Sequence, residues 1–274
     1  MTLSGPSTGS AALRVGATGD GNAAVSPRSR FWEVDMLRGL AVLGMVLFHL
    51  LFDLDYFQGG YHLSGRDMLL GKASACTFLF LVGLSLSLSC SRSKLLCGRC
   101  PSARYLARGA RIFGLGMGIT LITWIYPGKG IIIFGILHLI GLSIVLAYPF
   151  LAWPLPARPW VCLGAGMAVA ALGVHLSRLA FGFPWLLWLG LVPRDFFTLD
   201  YFPVLPWFSL VLFGLCIGEL AYPGYRRRLP LPDRSLQPGA RWLELLGRHT
   251  LAIYLVHQPL MIALLELSGI IRII

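Results

Sequence analysis

Within MLRGLAVLGMVLFHLLFDLDYF (residues 36–57), four ionisable side chains interrupt an otherwise apolar run. Arg38 stands near its start, His49 follows eleven residues later, and Asp53 lies one helical turn beyond His49. Residues at i and i+4 share a helix face. A carboxylate there can accept the proton of one ring nitrogen, which fixes the tautomer and leaves the other nitrogen as a base. Asp55 reads instead as a helix-end residue in a headgroup layer, and Asp53 is open to the same reading.

Two more histidines sit in comparable surroundings, His138 in FGILHLIGLS and His257 in LAIYLVHQPL. At 1.5 Å of rise per residue, His49 lies about 16 Å deeper than Arg38. The same rise puts His138 and His257 about 20 Å from the same boundary of a core about 30 Å thick. A single buried histidine is usually a polar strut bonded to a neighbouring helix. Three at one depth argue for a shared task, in which His138 or His257 polarises a carbonyl or relays a proton. His175 has no such company and reads as structural or interfacial.

A third feature is cationic. RYLARGARIF places Arg104, Arg108 and Arg111 at the start of an apolar run, with Arg108 and Arg111 on one face. Arginines at a membrane boundary serve as snorkelling anchors. Two on one face also suit a phosphate, which guanidinium binds bidentately. A phosphate hook at one boundary and a base far across the core suit a long ligand. Acyl-coenzyme A, with a phosphorylated head and an extended arm ending in a thioester, has that shape.

These groups need helices that cross a bilayer. The chain is 56% apolar, only 13% charged and has a mean hydropathy of +0.73, whereas a soluble domain carries about 25% charged residues. Apolar runs at 37–57, 68–90, 105–125, 130–152, 160–180, 202–222 and 243–268 predict an all-α polytopic bundle of about seven transmembrane helices. The loops 91–104 and 224–241 are arginine-rich and predict an N-in, C-out orientation. That arrangement leaves only Arg66, Lys72, Lys129, Arg178, Arg194 and Arg272 on the outer side. The net charge of +11 is therefore a topology signal, and nucleic-acid binding is not expected.

The outer loops are rich in Trp, Tyr and Phe, and FGFPWLLWLGLVPRDFFTLDYFP is apolar enough to dip back into the membrane. Gly and Pro inside the runs suit close helix packing in lipid. GLGMG is no phosphate loop, for it lacks the Gly-Lys-Ser/Thr ending. Residues 1–30 are rich in Gly, Ser and Ala without an apolar core, and read as a disordered cytoplasmic tail ahead of a membrane domain at 31–274. Cys76, Cys90, Cys162 and Cys216 read as small apolar residues of the spans. Cys97 and Cys100 resemble half a zinc knuckle, but no histidine stands nearby, so a dithiol without a role is expected and no metal.

Six strings in order carry a resemblance: RFWEVDMLRGLAVLGMVLFHLLFDL, FLFLVGLSLSLS, RGARIFGLGMGIT, FGILHLIGLS, YFPVLPWF and LGRHTLAIYLVHQP. Together they resemble the bacterial heparan-alpha-glucosaminide N-acetyltransferase-like membrane proteins, within the transmembrane acyltransferase superfamily. The resemblance covers about residues 30–265 and implies transfer of an acyl group, usually acetyl, from cytoplasmic acyl-CoA to a sugar across the bacterial inner membrane. Arg38 and His49, with ten residues between them, match an Arg–His pair in the superfamily's first span. Arg108 and Arg111 match its Arg-x-x-Arg pair. The resemblance thus implies His49 as general base and Arg108 and Arg111 at the coenzyme A site; Asp53 would orient the base by its i+4 spacing, and Arg38 either pairs with Asp35 or faces the cofactor. The lysosomal relatives carry Asn at the position of His49 and place their catalytic histidine in the following luminal segment. His62 is the nearest counterpart here and the second candidate base. Those relatives also have more spans.

Two other classes compete. A transporter or lipid-carrier flippase would use the polar slab as a solute path. A haem-binding electron carrier would use histidines on neighbouring spans as axial ligands. The partners expected are the bilayer, acyl-CoA and a glycan or other extracytoplasmic acceptor. A homo-oligomer is compatible with the chain, and nothing in it identifies the acceptor or the acyl chain length.

Overall fold

The computed structural model describes residues 30–271 except 59–60, 126–129, 153–155, 180 and 233–236, so the expected tail lies outside the described residues. Eight α-helices follow in order. They are α1 Trp32–Asp53, α2 Gly65–Cys97, α3 Ser102–Ile125, α4 Ile136–Ala152, α5 Arg158–Leu176, α6 Val204–Ala221, α7 Pro238–Arg248 and α8 Thr250–Leu267. Among the described residues there is no strand, only an isolated bridge between Phe134 and Tyr201. α1, α2, α5, α6 and α8 are long and apolar enough to cross a membrane, while α4 is a shorter apolar helix of 17 residues. This is an all-α integral membrane protein.

The last apolar run departs from the expected single span. Residues 238–267 form two helices that break at His249, whose φ of −104° and ψ of 16° interrupt the helical ladder. The arginine-bearing part became α7, which packs across the N-terminal end of α1, and only α8 has the length of a span.

Lipid supplies no hydrophobic force between helices, so close backbone approach and internal polar bonds hold them. α6 is central, packed on α2 and α5. A Cβ at Gly83 would strike the Val211 carbonyl, and one at Gly214 would strike that of Phe80, so the α2–α6 crossing requires both glycines. Leu79 and Leu86 of α2 are fully buried there with Val211, Leu212 and Leu215 of α6. Arg158 at the start of α5 meets Glu219 of α6 at 2.8 Å, and Ser87 of α2 donates to the same carboxylate at 3.0 Å. Removing one partner of a buried pair of this kind costs about 3–5 kcal/mol. α1 stands on the other side of α2, and α3 pairs with α4.

The 177–203 connection is irregular and laced to the segment preceding α4. Phe202 donates to the Phe134 carbonyl at 2.9 Å, and Thr198 to that of Ile131 at 2.6 Å. Trp185 and Phe197 are exposed on it, as an interfacial segment requires.

Candidate active site

α1 and α8 meet through two imidazoles. Nε2 of His257 lies 3.4 Å from Nδ1 of His49, with ring centroids 4.9 Å apart. Each ring is also held by its own helix. Nδ1 of His49 lies 3.0 Å from the Met45 carbonyl, and Nδ1 of His257 lies 2.7 Å from that of Tyr254. A carbonyl only accepts, so both Nδ1 atoms carry the proton in the neutral rings. The His49 Nδ1–H is then shared between Met45 and His257, and the lone pair of His49 is on Nε2. The ring that the sequence singled out is thus held by the Met45 carbonyl and His257.

Asp53 does not orient His49. Gln258, beside His257, donates to Asp53 Oδ1 across the helices at 2.7 Å. Asp53 is 1% exposed, and its second oxygen and the Gln258 carbonyl oxygen are both buried without a hydrogen-bond partner. The physical reason is local competition. The Met45 carbonyl, one turn before His49, satisfies the ring proton first, and the carboxylate is left for the facing amide.

His138 serves elsewhere. Its Nδ1 accepts the Gly135 amide at 3.2 Å in the first turn of α4, and its Nε2 lies 3.4 Å from the Thr120 hydroxyl. Phe113 and Phe134 flank the ring. It closes the start of α4 against α3, whereas the imidazole pair lies between α1 and α8. His62 is open to solvent, its side chain 90% exposed, and lies 3.7 Å from Asp55. The acidic residue two positions past Asp53 thus attends the second candidate base.

Arg30, Arg38 and Arg248 gather at the N-terminal end of α1. Arg38 donates to Asp35 at 2.7 Å and to the Ser85 hydroxyl. Asp35 also draws Arg248 of α7 to 3.8 Å and Arg30 to 4.0 Å. Arg108 is near enough to Arg38 for the two charges to repel. Arg108 and Arg111 are exposed on α3, and neither forms an ion pair among the described residues. Cations gathered this way favour an anion.

Several groups escaped the sequence reading. Glu33 takes a two-pronged bond from Arg227, at 2.8 and 2.6 Å, and a third from the Tyr222 hydroxyl at 2.9 Å. Asp200 accepts the Ile136 amide at 3.1 Å, capping α4 from the 177–203 connection, and its charge reaches Tyr254 on α8. Burial pushes the Asp200 carboxyl up to about 6. Cys90 and Cys100 are paired as a disulfide, Cα–Cα 5.2 Å, across the α2–α3 turn. That replaces both the apolar reading of Cys90 and the Cys97–Cys100 dithiol, and Cys97 is free and exposed.

A family model, heparan-alpha-glucosaminide N-acetyltransferase, catalytic, matches residues 30–259. The chain belongs to this family. The match runs from Arg30 to the residue after Gln258 and so takes in His49, Asp53, His257 and Gln258. No curated protein and no solved structure matches the chain. Membership in the heparan-alpha-glucosaminide N-acetyltransferase family makes this membrane protein a transferase of the acetyltransferase kind.

Proposed function

We propose that the protein moves an acetyl group from acetyl-CoA, held at the arginine-bearing end of α1 and α3, to a sugar or other acceptor presented on the opposite face of the bacterial cytoplasmic membrane. The reading includes an N-in, C-out bundle, with Arg38, Arg108 and Arg111 as ligands for the coenzyme A phosphates. The observation that carries it is the His49–His257 pair, which leaves one basic nitrogen in fixed orientation. Arg38 and His49 are about 16 Å apart along α1, a span suited to an extended pantetheine arm.

In the reaction His49 Nε2 removes a proton from the acceptor amine or hydroxyl as that group attacks the thioester carbonyl. The bond from acyl carbon to acceptor forms, the carbon–sulfur bond breaks, and the thiolate leaves with the proton that the imidazolium returns. His257 Nε2, facing the His49 Nδ1–H, spreads the transient positive charge over two rings. Asp53 and Gln258 tie α8 to α1 beside them. His62 is the alternative base, placed for an acceptor that binds further out, and His138 supports the start of α4.

The experiment is transfer of radiolabelled acetyl from acetyl-CoA by purified protein to a panel of amino sugars and glycans. Acceptor-dependent release of free coenzyme A is expected. Solute flux without thioester cleavage would favour a carrier instead, and a Soret band on the purified protein would point to haem.

A further inference from the structure

α7 has 11 residues, about 16 Å, too short for a hydrocarbon core about 30 Å thick. Its small residues Ala240 and Gly247, with Glu244, are buried on the side that meets α1. A Cβ at Gly247 would strike the Asp35 carbonyl, so helix and helix lie backbone to backbone. The other side presents Trp242, 67% exposed, and Leu245, 47% exposed, with Arg241 between the two faces. A short helix with an apolar outer face and an arginine edge lies in a membrane interface rather than across it.

The segment leading into it alternates in the same way. Arg226 and Arg228 are exposed, and so are Leu229 and Leu231. Arg227 is engaged by Glu33, and Arg248 by Glu244 at 2.9 Å. Arg226, Arg228 and Arg241 form no ion pair among the described residues. Between α1 and α7 runs a cleft of about 360 Å³, lined by Trp32, Met36, Leu231, Pro232, Gln237 and Ala240. Its wall is almost wholly apolar. A polar metabolite would need convergent polar groups there, whereas a hydrocarbon chain needs none.

We propose that this end of the bundle is a binding site for an anionic phospholipid, with one acyl chain in the α1–α7 cleft and the phosphate held by Arg226, Arg228 and Arg241. The cleft residues and the arginines adjoin in the chain, Arg228 three before Leu231 and Arg241 next to Ala240. The bound lipid fastens α7 to the part of α1 that carries Asp35 and Arg38. The site is distinct from the arginines of α3 and does not depend on the acyltransfer reading.

The test uses full-length protein in detergent micelles doped with phosphatidylglycerol or phosphatidylcholine of matched chains, counting retained lipid by native mass spectrometry. Each arginine near an anionic surface contributes a factor of about five, so retention of phosphatidylglycerol should exceed that of phosphatidylcholine by at least about tenfold. The preference should shrink as salt is added. R226Q/R228Q/R241Q should erase it while Leu231→Asn lowers retention of both lipids. Equal retention by the unaltered protein overturns the proposal without recourse to any variant. Displacement of phosphatidylglycerol by added coenzyme A overturns it too, because the arginines would then belong to the acyl donor.

Discussion

Gln258 of α8 donates to Asp53 of α1 at 2.7 Å, one residue away from the point where His257 meets His49. The amide–carboxylate bond and the imidazole pair form a single polar seam between the two helices, so changes at one contact should register at the other.

His49→Asn should abolish transfer, by about 10²–10⁴-fold, because the amide can still hydrogen-bond but cannot take a proton. Donor binding should persist. His62→Ala should retain activity. Asp53→Asn should cost less than His49→Asn, since it perturbs the seam and leaves the base in place. Rates for the three variants decide the matter, and loss confined to His62→Ala would move the base to the outer segment.

Arg108→Ala and Arg111→Ala should each weaken acetyl-CoA binding by about 1.5–3 kcal/mol, the range for hydrogen bonds to charged groups. Both side chains are exposed, so the fold should survive. Calorimetric titration of purified protein measures the loss. Unchanged affinity in both variants would reduce the pair to membrane anchors.

Orientation is open to thiol chemistry. Impermeant maleimide should fail to label Cys97, which is exposed and free, from outside intact cells, and should reach an Arg66→Cys variant. External labelling of Cys97 would turn the bundle over.

Asp200 gives a stability prediction with a definite sign. Burial raises its carboxyl to about 6 in the folded protein. The folded chain then holds that proton more tightly than the unfolded chain, so the stabilising contribution is complete below about pH 4 and is lost as pH rises through about 6. Asp200→Asn removes the charge and keeps an oxygen for the Ile136 amide. Its melting temperature should exceed the parent's above about pH 7, and the gap should close near pH 4. A gap independent of pH would show that no buried charge is at stake.

Hydropathy carried the architecture well because a bilayer leaves few options for an apolar run. α1, α5 and α6 fall within about five residues of the expected spans, and α2 runs seven residues past its expected end. The break at His249 was hidden because GRHT interrupts the apolar pattern too briefly to register over a span-length window. Depth placed His49, His138 and His257 in one slab, and of these His49 and His257 meet. His138 shares that depth by rise per residue, but depth says nothing about azimuth, and the first turn of α4 had an unpaired Gly135 amide to satisfy. Asp53 shows the limit of the i+4 rule, which identifies a neighbour without telling whether a closer backbone carbonyl has already taken the proton. Asp200 was out of reach for a further reason. Its partner Ile136 is 64 residues away in the chain, and no spacing rule spans that distance.

α8 has a single buried side chain, Leu265, and touches α1 and, slightly, α7, which leaves most of its surface exposed. Half of the imidazole pair therefore rides on a helix whose outer flank is open and apolar. Under the proposed mechanism the bilayer would act as one wall of the reaction chamber. Detergent replaces that wall with a softer and wetter one, so turnover in micelles should differ from turnover in bilayers even when the fold is unchanged.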